Sequence, residues 1–490
     1  MKERFKYAKG ACLAGIFLLL FLPLLQNTFH LKGWIRPLKG AYEEKQDTAL
    51  TLQTWLSERY QQKKNDYLKQ HFGFHNYYVL LNNQIDFSFF KKANAAHVVI
   101  GKHNFLFEDD YINAYYGKNF LGEEQLRERF AKLKAAQELL GKQGILLEII
   151  YLPGKASFYP EYIPDYTHGP KKESNYEVMH RLALEEKLHV IDFNAWFQSM
   201  KYTSLYDLYP RGGIHWSNYG ALVAMDSLRK DIEAGTHIKM NSFVIKEVNF
   251  SDSLIDPDND IGDALNLVIK VKPLPMPYAK YDWVTDGAVK PRALFIGDSY
   301  FWNWYYQGLV NNMFDHATFW YYNQTVYPES EKVRAVDQLS FKDEVMQQRV
   351  IVLMATESNI QDIGWGFADK VLAELKSGVT YDRRKEIYVN YFEAEIRKNP
   401  GWLQKVKEKA AAGNVTLEEM LRKDGEYLYE TEYNTPEAVS YTEEVKKRII
   451  NTPDWLKDVL AKALARNIPE DEMLELDAKY MYDTEVKGKK

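Results

Sequence analysis

Apolar residues follow two rhythms along this chain. In the first, short apolar runs, the longest interrupted only by Glu148, stop at a polar or turn-forming residue. "ILLEIIYL" (Ile145 to Leu152) stops at Pro153-Gly154, "HVIDF" ends near Asp192, "ALFIGDS" at Ser299, "ATFWYYN" at Asn323 and "VIVLMATES" near Glu357. In the second, apolar residues recur every three or four positions, as in "EEQLRERFAKLKAAQELLGKQG", an amphipathic helix closed by Gly144. Short apolar runs separated by helical segments predict a mostly parallel sheet covered on both faces, an α/β fold. Ligands of such sheets bind beyond the carboxyl ends of the strands. The residues just after the runs are therefore site candidates: Lys155, Ser299, Asn323 and Glu357.

The two ends differ from this central pattern. Lys2, Arg4, Lys6 and Lys9 precede the apolar run Ala11 to Leu25. Fifteen residues is short for a bilayer core, which takes about 20, but Tyr7 and Phe29 are placed to extend it. No small-x-small cleavage pattern follows Leu25, and Cys12 stands at the start of the run, away from a lipidation position. The expectation is an uncleaved anchor over residues 1–30 in the cytoplasmic membrane, with its N-terminus cytoplasmic and the bulk of the chain periplasmic or otherwise extracytoplasmic; a cleaved signal peptide is the rival reading. Lys32, Arg36, Lys39 and Lys45, which follow the run, weaken that charge bias. Residues 31–95 read as a helical membrane-proximal lead-in, and 96–375 as the α/β domain.

Residues 385–490 read as all-helical and duplicated. "NPGWLQKVKEKAAAGNVTLEEMLRKDGEYLY" (399–429) aligns without a gap on "TPDWLKDVLAKALARNIPEDEMLELDAKYMY" (452–482). Trp402/Trp455, Val406/Val459, Lys409/Lys462, Asp424/Asp477 and Tyr429/Tyr482 coincide. Each copy predicts a helix capped by Asn399 or Thr452 with proline at its first position, a turn at Asn414 or Asn467, and a second helix. The expectation for these units is two helical hairpins packing on each other; a carbohydrate platform of their Trp and Tyr residues is the alternative.

Composition narrows the chemistry. A chain of 490 residues, 46% hydrophobic, is long enough for two or three units with sizeable cores. A net charge of -5 gives no argument for nucleic acid. The single cysteine excludes an intramolecular disulfide and a cysteine-based zinc site. No His/Asp/Glu group has convincing ligand spacing and no glycine-rich phosphate cradle is visible, so neither metal nor cofactor is expected.

Ser299 has the strongest claim to chemistry, because a serine at a sharp strand-to-helix turn exposes its hydroxyl where developing negative charge is stabilised. It needs a base. Of 11 histidines, His215 stands apart in "YPRGGIHWSNYGALVAMDSL", on a loop entering a helix from about Asn218. Trp216, Trp302, Trp304, Tyr305 and Tyr306 surround the two motifs, as sugar-stacking surfaces or as core.

"FIGDSY" together with "GIHWSNYG", preceded in order by "VVIGKHNFLF" and "GILLEIIYLPGKASFYPEYIP", resembles the SGNH-hydrolase-like domain of the alginate O-acetyltransferase family over roughly 96–367. The resemblance implies a three-layer α/β sandwich in which the histidine precedes the serine, an order permuted relative to ordinary SGNH esterases. It implies Ser299 as nucleophile, His215 as base, and a membrane-anchored or periplasmic O-acetyltransferase of exopolysaccharides. Acetyl-CoA is not expected outside the cytoplasm, so the acetyl donor would be a multi-spanning membrane acyltransferase and the acceptor a polysaccharide. One departure matters: the family has an aspartate two residues before the histidine, where this chain has Gly213. Glu357 is the expected substitute, with Asp207 next. Asp298 is expected to be spent on backbone hydrogen bonds. Asn323 is expected to serve an oxyanion hole, and Lys155, Trp216 and Tyr300 to contact substrate. A deacetylating esterase on the same site, and a non-catalytic polysaccharide-binding or assembly component, are the rival readings.

Overall fold

A computed structural model describes residues 2–29, 37–40, 44–328, 333–375, 383–413, 415–466 and 468–489. Helix α1 (Lys2–Thr28) contains the apolar run, and its part Lys9–Thr28 is long and apolar enough to cross a membrane. The helix extends past Leu25 through the polar residues Gln26, Asn27 and Thr28. Leu13 through Phe21 are largely exposed, so this is not a core helix of the α/β domain.

The lead-in contains helices α2 (Arg59–His71) and α3 (His75–Phe90). One face of α3 buries Leu80, Asn83 and Phe87, and the Asn83 amide donates to the carbonyl of Leu265, fastening the lead-in to the α/β domain. The turn between α2 and α3 touches the end of α1. Pro23 lies so close to Gly73 that no side chain fits there, and the Phe74 N–H donates to Gln26 Oε1 at 3.0 Å.

The α/β domain begins with the hairpin β1 (Val98–Ile100) and β2 (Leu106–Glu108). In chain order follow β3 (Leu146–Leu152), β4 (Ile191–Asp192), the antiparallel pair β5 (Ser242–Ser251) and β6 (Met276–Val284), β7 (Arg292–Gly297), β8 (Asp315–Tyr321), β9 (Thr325–Tyr327), β10 (Arg334–Ala335) and β11 (Val350–Thr356). The central sheet runs β10-β9-β8-β7-β11-β3-β4, parallel from β8 to β4, with β9 and β10 antiparallel at one edge.

Both faces of this sheet are apolar, as an unbroken strand pattern requires. Leu147, Ile149, Tyr151, Leu294, Ile296, Ile351 and Leu353 pack under helices Glu123–Lys142, Asn175–Glu186 and Phe367–Leu375. Ile150, Leu152, Ala293, Phe295, Val352 and Met354 pack on the other side, under helices Phe193–Met200 and α4 (Asn218–Thr236). The result is a three-layer sandwich. At roughly 1.5–3 kcal/mol per fully buried large apolar side chain, these two layers dominate the stability of the domain.

The C-terminal region forms six α-helices among the described residues: Arg383–Lys398, Pro400–Ala412, Leu417–Leu428, Pro436–Ile450, Pro453–Arg466 and Glu470–Glu485. Each repeat is a helical hairpin, and each packs on the helix preceding it, Arg383–Lys398 or Pro436–Ile450. The matching ion pairs Lys409–Asp424 and Lys462–Asp477, at 2.7 and 2.6 Å, tie the two helices of each hairpin together. Trp402 and Trp455 pack beside Val406 and Val459, and Tyr429 and Tyr482 are buried. Asn399 caps its helix through the N–H of Trp402; at the matching position the Thr452 hydroxyl donates back to the Arg448 carbonyl. Asn414 and Asn467 lie outside the described residues.

Candidate active site

β7 delivers Ser299 through a turn that its neighbours hold fixed. At Gly297 a Cβ would sit 2.4 Å from the Met354 side chain and 2.9 Å from its carbonyl oxygen, so only glycine lets β7 and β11 approach this closely. Asp298 is buried, and its Oδ2 accepts from the Thr356 N–H and hydroxyl, both at 2.8 Å, and from the Asn359 amide at 3.2 Å. Its Oδ1 accepts from the Tyr300 N–H at 3.3 Å. The carboxylate thus joins the turn to the end of β11, and Ser299 is left with its hydroxyl free for other work.

The second half of the site comes from the loop entering α4. Lys155, fully buried, donates from Nζ to the carbonyls of Arg211 at 2.9 Å and Gly213 at 2.5 Å. Trp216 is buried among Phe193, Phe197, Tyr300 and Trp304. Ser217 caps α4 through the N–H of Gly220, and Asp258 accepts from the N–H of Asn218. Between these fixed points His215 turns its ring toward β7.

The ring meets both partners a nucleophilic serine requires. The Ser299 hydroxyl lies 2.9 Å from His215 Nε2, and Nδ1 lies 2.7 Å from Asp260 Oδ2. The other Asp260 oxygen accepts from the N–H groups of Ile214 at 3.0 Å and Ile261 at 2.7 Å, so the carboxylate is held at both ends. Burial pulls the His215 pKa down, but the hydrogen bond to Asp260 and the charges of Asp260, Asp298 and Glu108 outweigh it, and the net shift is upward. Serine, imidazole and carboxylate in this sequence of contacts have the arrangement that can activate a hydroxyl as a nucleophile.

Asp260 replaces the expected substitute carboxylates. Glu357 does follow β11, but its side chain folds against Gly154 and Ser157, where burial pushes its carboxyl up to about 7. Asp207 contributes its carbonyl to the Ser217 hydroxyl. The reason for glycine at 213 is visible: a Cβ there would lie 2.6 Å from the Pro257 carbonyl oxygen and 2.8 Å from Pro210 Cγ. The 256–260 loop fills the space an aspartate at 213 would need, and supplies Asp260 instead. Gly213→Asp is therefore expected to displace that loop, lowering stability by about 1–3 kcal/mol and activity by about 10²-fold. Thermal unfolding and turnover measured on one preparation check both, and a fully active variant would refute this account of the loop.

Four other candidates do different work. Lys155 braces the Arg211–Gly213 backbone, and burial brings its ammonium down to about 7. Trp216 and Tyr300 are core: neither is exposed, and the Tyr300 hydroxyl donates to the Ile214 carbonyl at 2.9 Å. Asn323 donates to the Trp365 carbonyl and lines a separate cavity of about 590 Å³ with Arg129 and Asp362. Of the outer aromatics, Trp304 is buried with its indole N–H on the Ala221 carbonyl, while Tyr306 is exposed.

Ser299, His215 and Asp260 line a cleft of about 980 Å³. Its domain-side wall includes Glu108, whose carboxyl is raised by burial and by the nearby Asp260 charge, and Tyr111. The opposite wall is the lead-in: Lys69 and Phe72 from the end of α2, and His75, Tyr78 and Asn82 from α3. The lead-in is thus a wall of the site as well as a connection to α1.

Residues 98–308 match the SGNH hydrolase-like domain of the acetyltransferase AlgX, a span that contains Ser299, His215 and Asp260. The chain is 24% identical over 213 residues to the probable alginate O-acetylase AlgJ of Pseudomonas putida, a match covering 37% of this chain and 54% of that protein. It therefore spans about half the length of this curated relative. Among solved structures, the O-acetyltransferase domain of Pseudomonas putida AlgJ is 19% identical with a TM-score of 0.38, covering 58% of this chain and 99% of that one. Pseudomonas aeruginosa AlgX is 12% identical with a TM-score of 0.35, covering 55% and 67%.

Proposed function

We propose, from the SGNH hydrolase-like AlgX-type domain that residues 98–308 form, that this protein is a membrane-anchored O-acetyltransferase of a cell-envelope or secreted polysaccharide. The observation that carries the proposal is the Ser299–His215–Asp260 chain of hydrogen bonds at the base of an open cleft. His215 Nε2 takes the proton of Ser299 as its Oγ attacks the acetyl carbonyl of the donor. Asp260 holds Nδ1–H and stabilises the imidazolium. The imidazolium returns the proton to the leaving group, and acetyl-Ser299 remains. A sugar hydroxyl then gives its proton to His215 and attacks the ester, and Ser299 recovers a proton as the acetylated sugar leaves.

Two features support an extracytoplasmic site supplied from the membrane. The basic residues Lys2, Arg4, Lys6 and Lys9 precede the apolar stretch of α1, which favours a cytoplasmic N-terminus. Phe72 and His75, in the cleft wall, flank the turn that touches Pro23 and Gln26 near the end of α1. A multi-spanning membrane acyltransferase is the proposed acetyl donor, and the acceptor a polysaccharide entering from the other side.

Full-length protein in detergent, given an activated acetyl ester and a panel of oligosaccharides, tests the reading. Acetylated sugar is the expected product, identified by mass spectrometry. Release of acetate alone with every acceptor would make the protein an esterase, and no consumption of ester would return it to a binding role.

A further inference from the structure

At the end of β3 remote from the cleft, Glu148 interrupts an otherwise apolar strand, fully buried and with neither carboxylate oxygen accepting a hydrogen bond. A buried carboxylate in ionic contact with His189 at 3.4 Å but with no hydrogen bond of its own remains costly to bury. Two other potential ligands converge on it. His189 Nε2, just before β4, lies 3.4 Å from Glu148 Oε2 and 2.5 Å from Oδ2 of Asp231, which is on α4. One nitrogen and two carboxylates therefore offer ligand atoms all within 4.8 Å of one another, on the wall of a cavity of about 620 Å³. The nearby Arg349 guanidinium donates to the carbonyls of Gly144 and Thr236.

We infer that Glu148, His189 and Asp231 form a binding site for a divalent transition-metal ion, with water completing its coordination. The chemistry of the donor set is right once a metal displaces the proton that His189 Nε2 shares with Asp231: neutral imidazole and carboxylate oxygens suit Zn²⁺ or Mn²⁺ at about 2.0–2.2 Å. Two ligands at that distance on a tetrahedral ion stand about 3.3 Å apart, close to the separation of His189 from Glu148. The shorter His189–Asp231 contact has only to open by several tenths of an ångström, which a half-exposed imidazole allows. Glu148 supplies the independent indication of a ligand, since its buried oxygens accept no hydrogen bond and lie beside the other two groups. The ion would join β3, the entry to β4 and α4, the helix whose opposite end follows His215. It would act on the stability of that frame, away from the acetyl chemistry. The three residues sit on different elements, so no motif spacing in the sequence betrays them.

The test uses full-length protein in detergent, stripped with EDTA and then exposed to Zn²⁺ or Mn²⁺, with Mg²⁺ and Ca²⁺ as hard-ion controls. Elemental analysis should find about one equivalent of Zn²⁺ or Mn²⁺, with a rise in Tm. In Glu148→Gln, which keeps shape and removes the charge, affinity should fall at least tenfold and the rise in Tm disappear. His189→Ala, at a half-exposed position, should also weaken binding at least tenfold. Metal-free turnover of the acetyl ester should be the same in wild type and Glu148→Gln. Wild-type protein that retains no ion, or either variant binding as tightly as wild type, would overturn the assignment. Because the readout is bound metal, its failure leaves the acetyltransferase reading untouched.

Discussion

Ser299→Ala is expected to reduce turnover of an activated acetyl ester by at least about 10⁴-fold, the scale on which loss of a triad nucleophile is felt. The reasoning is specific to this turn. Asp298 and Gly297, not the serine hydroxyl, hold the strand tip in place, through Thr356, Asn359 and the close approach to Met354. Removing the hydroxyl should therefore leave the fold intact, with a change in stability within about 0.5 kcal/mol. Intact mass should show one acetyl group added to the wild type during turnover and none on the variant. Adding His215→Ala to Ser299→Ala should cost almost nothing more, because the two residues act as one unit. An adduct persisting on Ser299→Ala would place the nucleophile elsewhere, and independent losses from the two substitutions would separate His215 from the serine.

The sequence made two members of the Ser299–His215–Asp260 chain legible. β3, β7 and β11 are buried on both faces, so they appear as apolar runs, broken only by Glu148 in β3, and a serine ending such a run at Gly-Asp-Ser declares itself. His215 was legible because glycines precede it and a capped helix follows. The orienting carboxylate was not. Asp260 stands in "DPDNDIGDA", where four aspartates compete, and only the folded loop distinguishes Asp258, which accepts from the Asn218 N–H, from Asp260, which meets the imidazole. Glu357 misled because the strand-tip rule places it as well as it places Ser299, while saying nothing about where a side chain turns. β5 and β6 were missed for a related reason: apart from Met276 and Pro277 their residues are partly or fully exposed, which leaves no apolar run to detect. The lead-in read as helical, but its role as a cleft wall depends on the docking of Asn83 near Leu265, between residues far apart in the sequence.

Asp260→Asn tests the part of the site that only the fold revealed. An asparagine fits the same space, but its amide can donate to Nδ1, favouring the tautomer that turns an N–H, not a lone pair, toward Ser299. A loss in kcat of about 10³–10⁴-fold follows, as expected when a triad carboxylate becomes an amide. The pH profile carries a second signature. Catalysis needs neutral imidazole, and in the wild type the net effect of burial and nearby carboxylates raises the His215 pKa above its ordinary 6.5. Wild-type kcat/KM should therefore fall as pH drops through a value above 6.5. Asp260 provides the largest of the upward influences opposing burial, so in Asp260→Asn the acid limb should move to lower pH even as the plateau collapses. Glu357→Gln should leave the limb where it was, since Glu357 packs against Gly154 and Ser157. A limb that followed Glu357 and ignored Asp260 would mean that the 2.7 Å contact at Nδ1 does not orient the working imidazole.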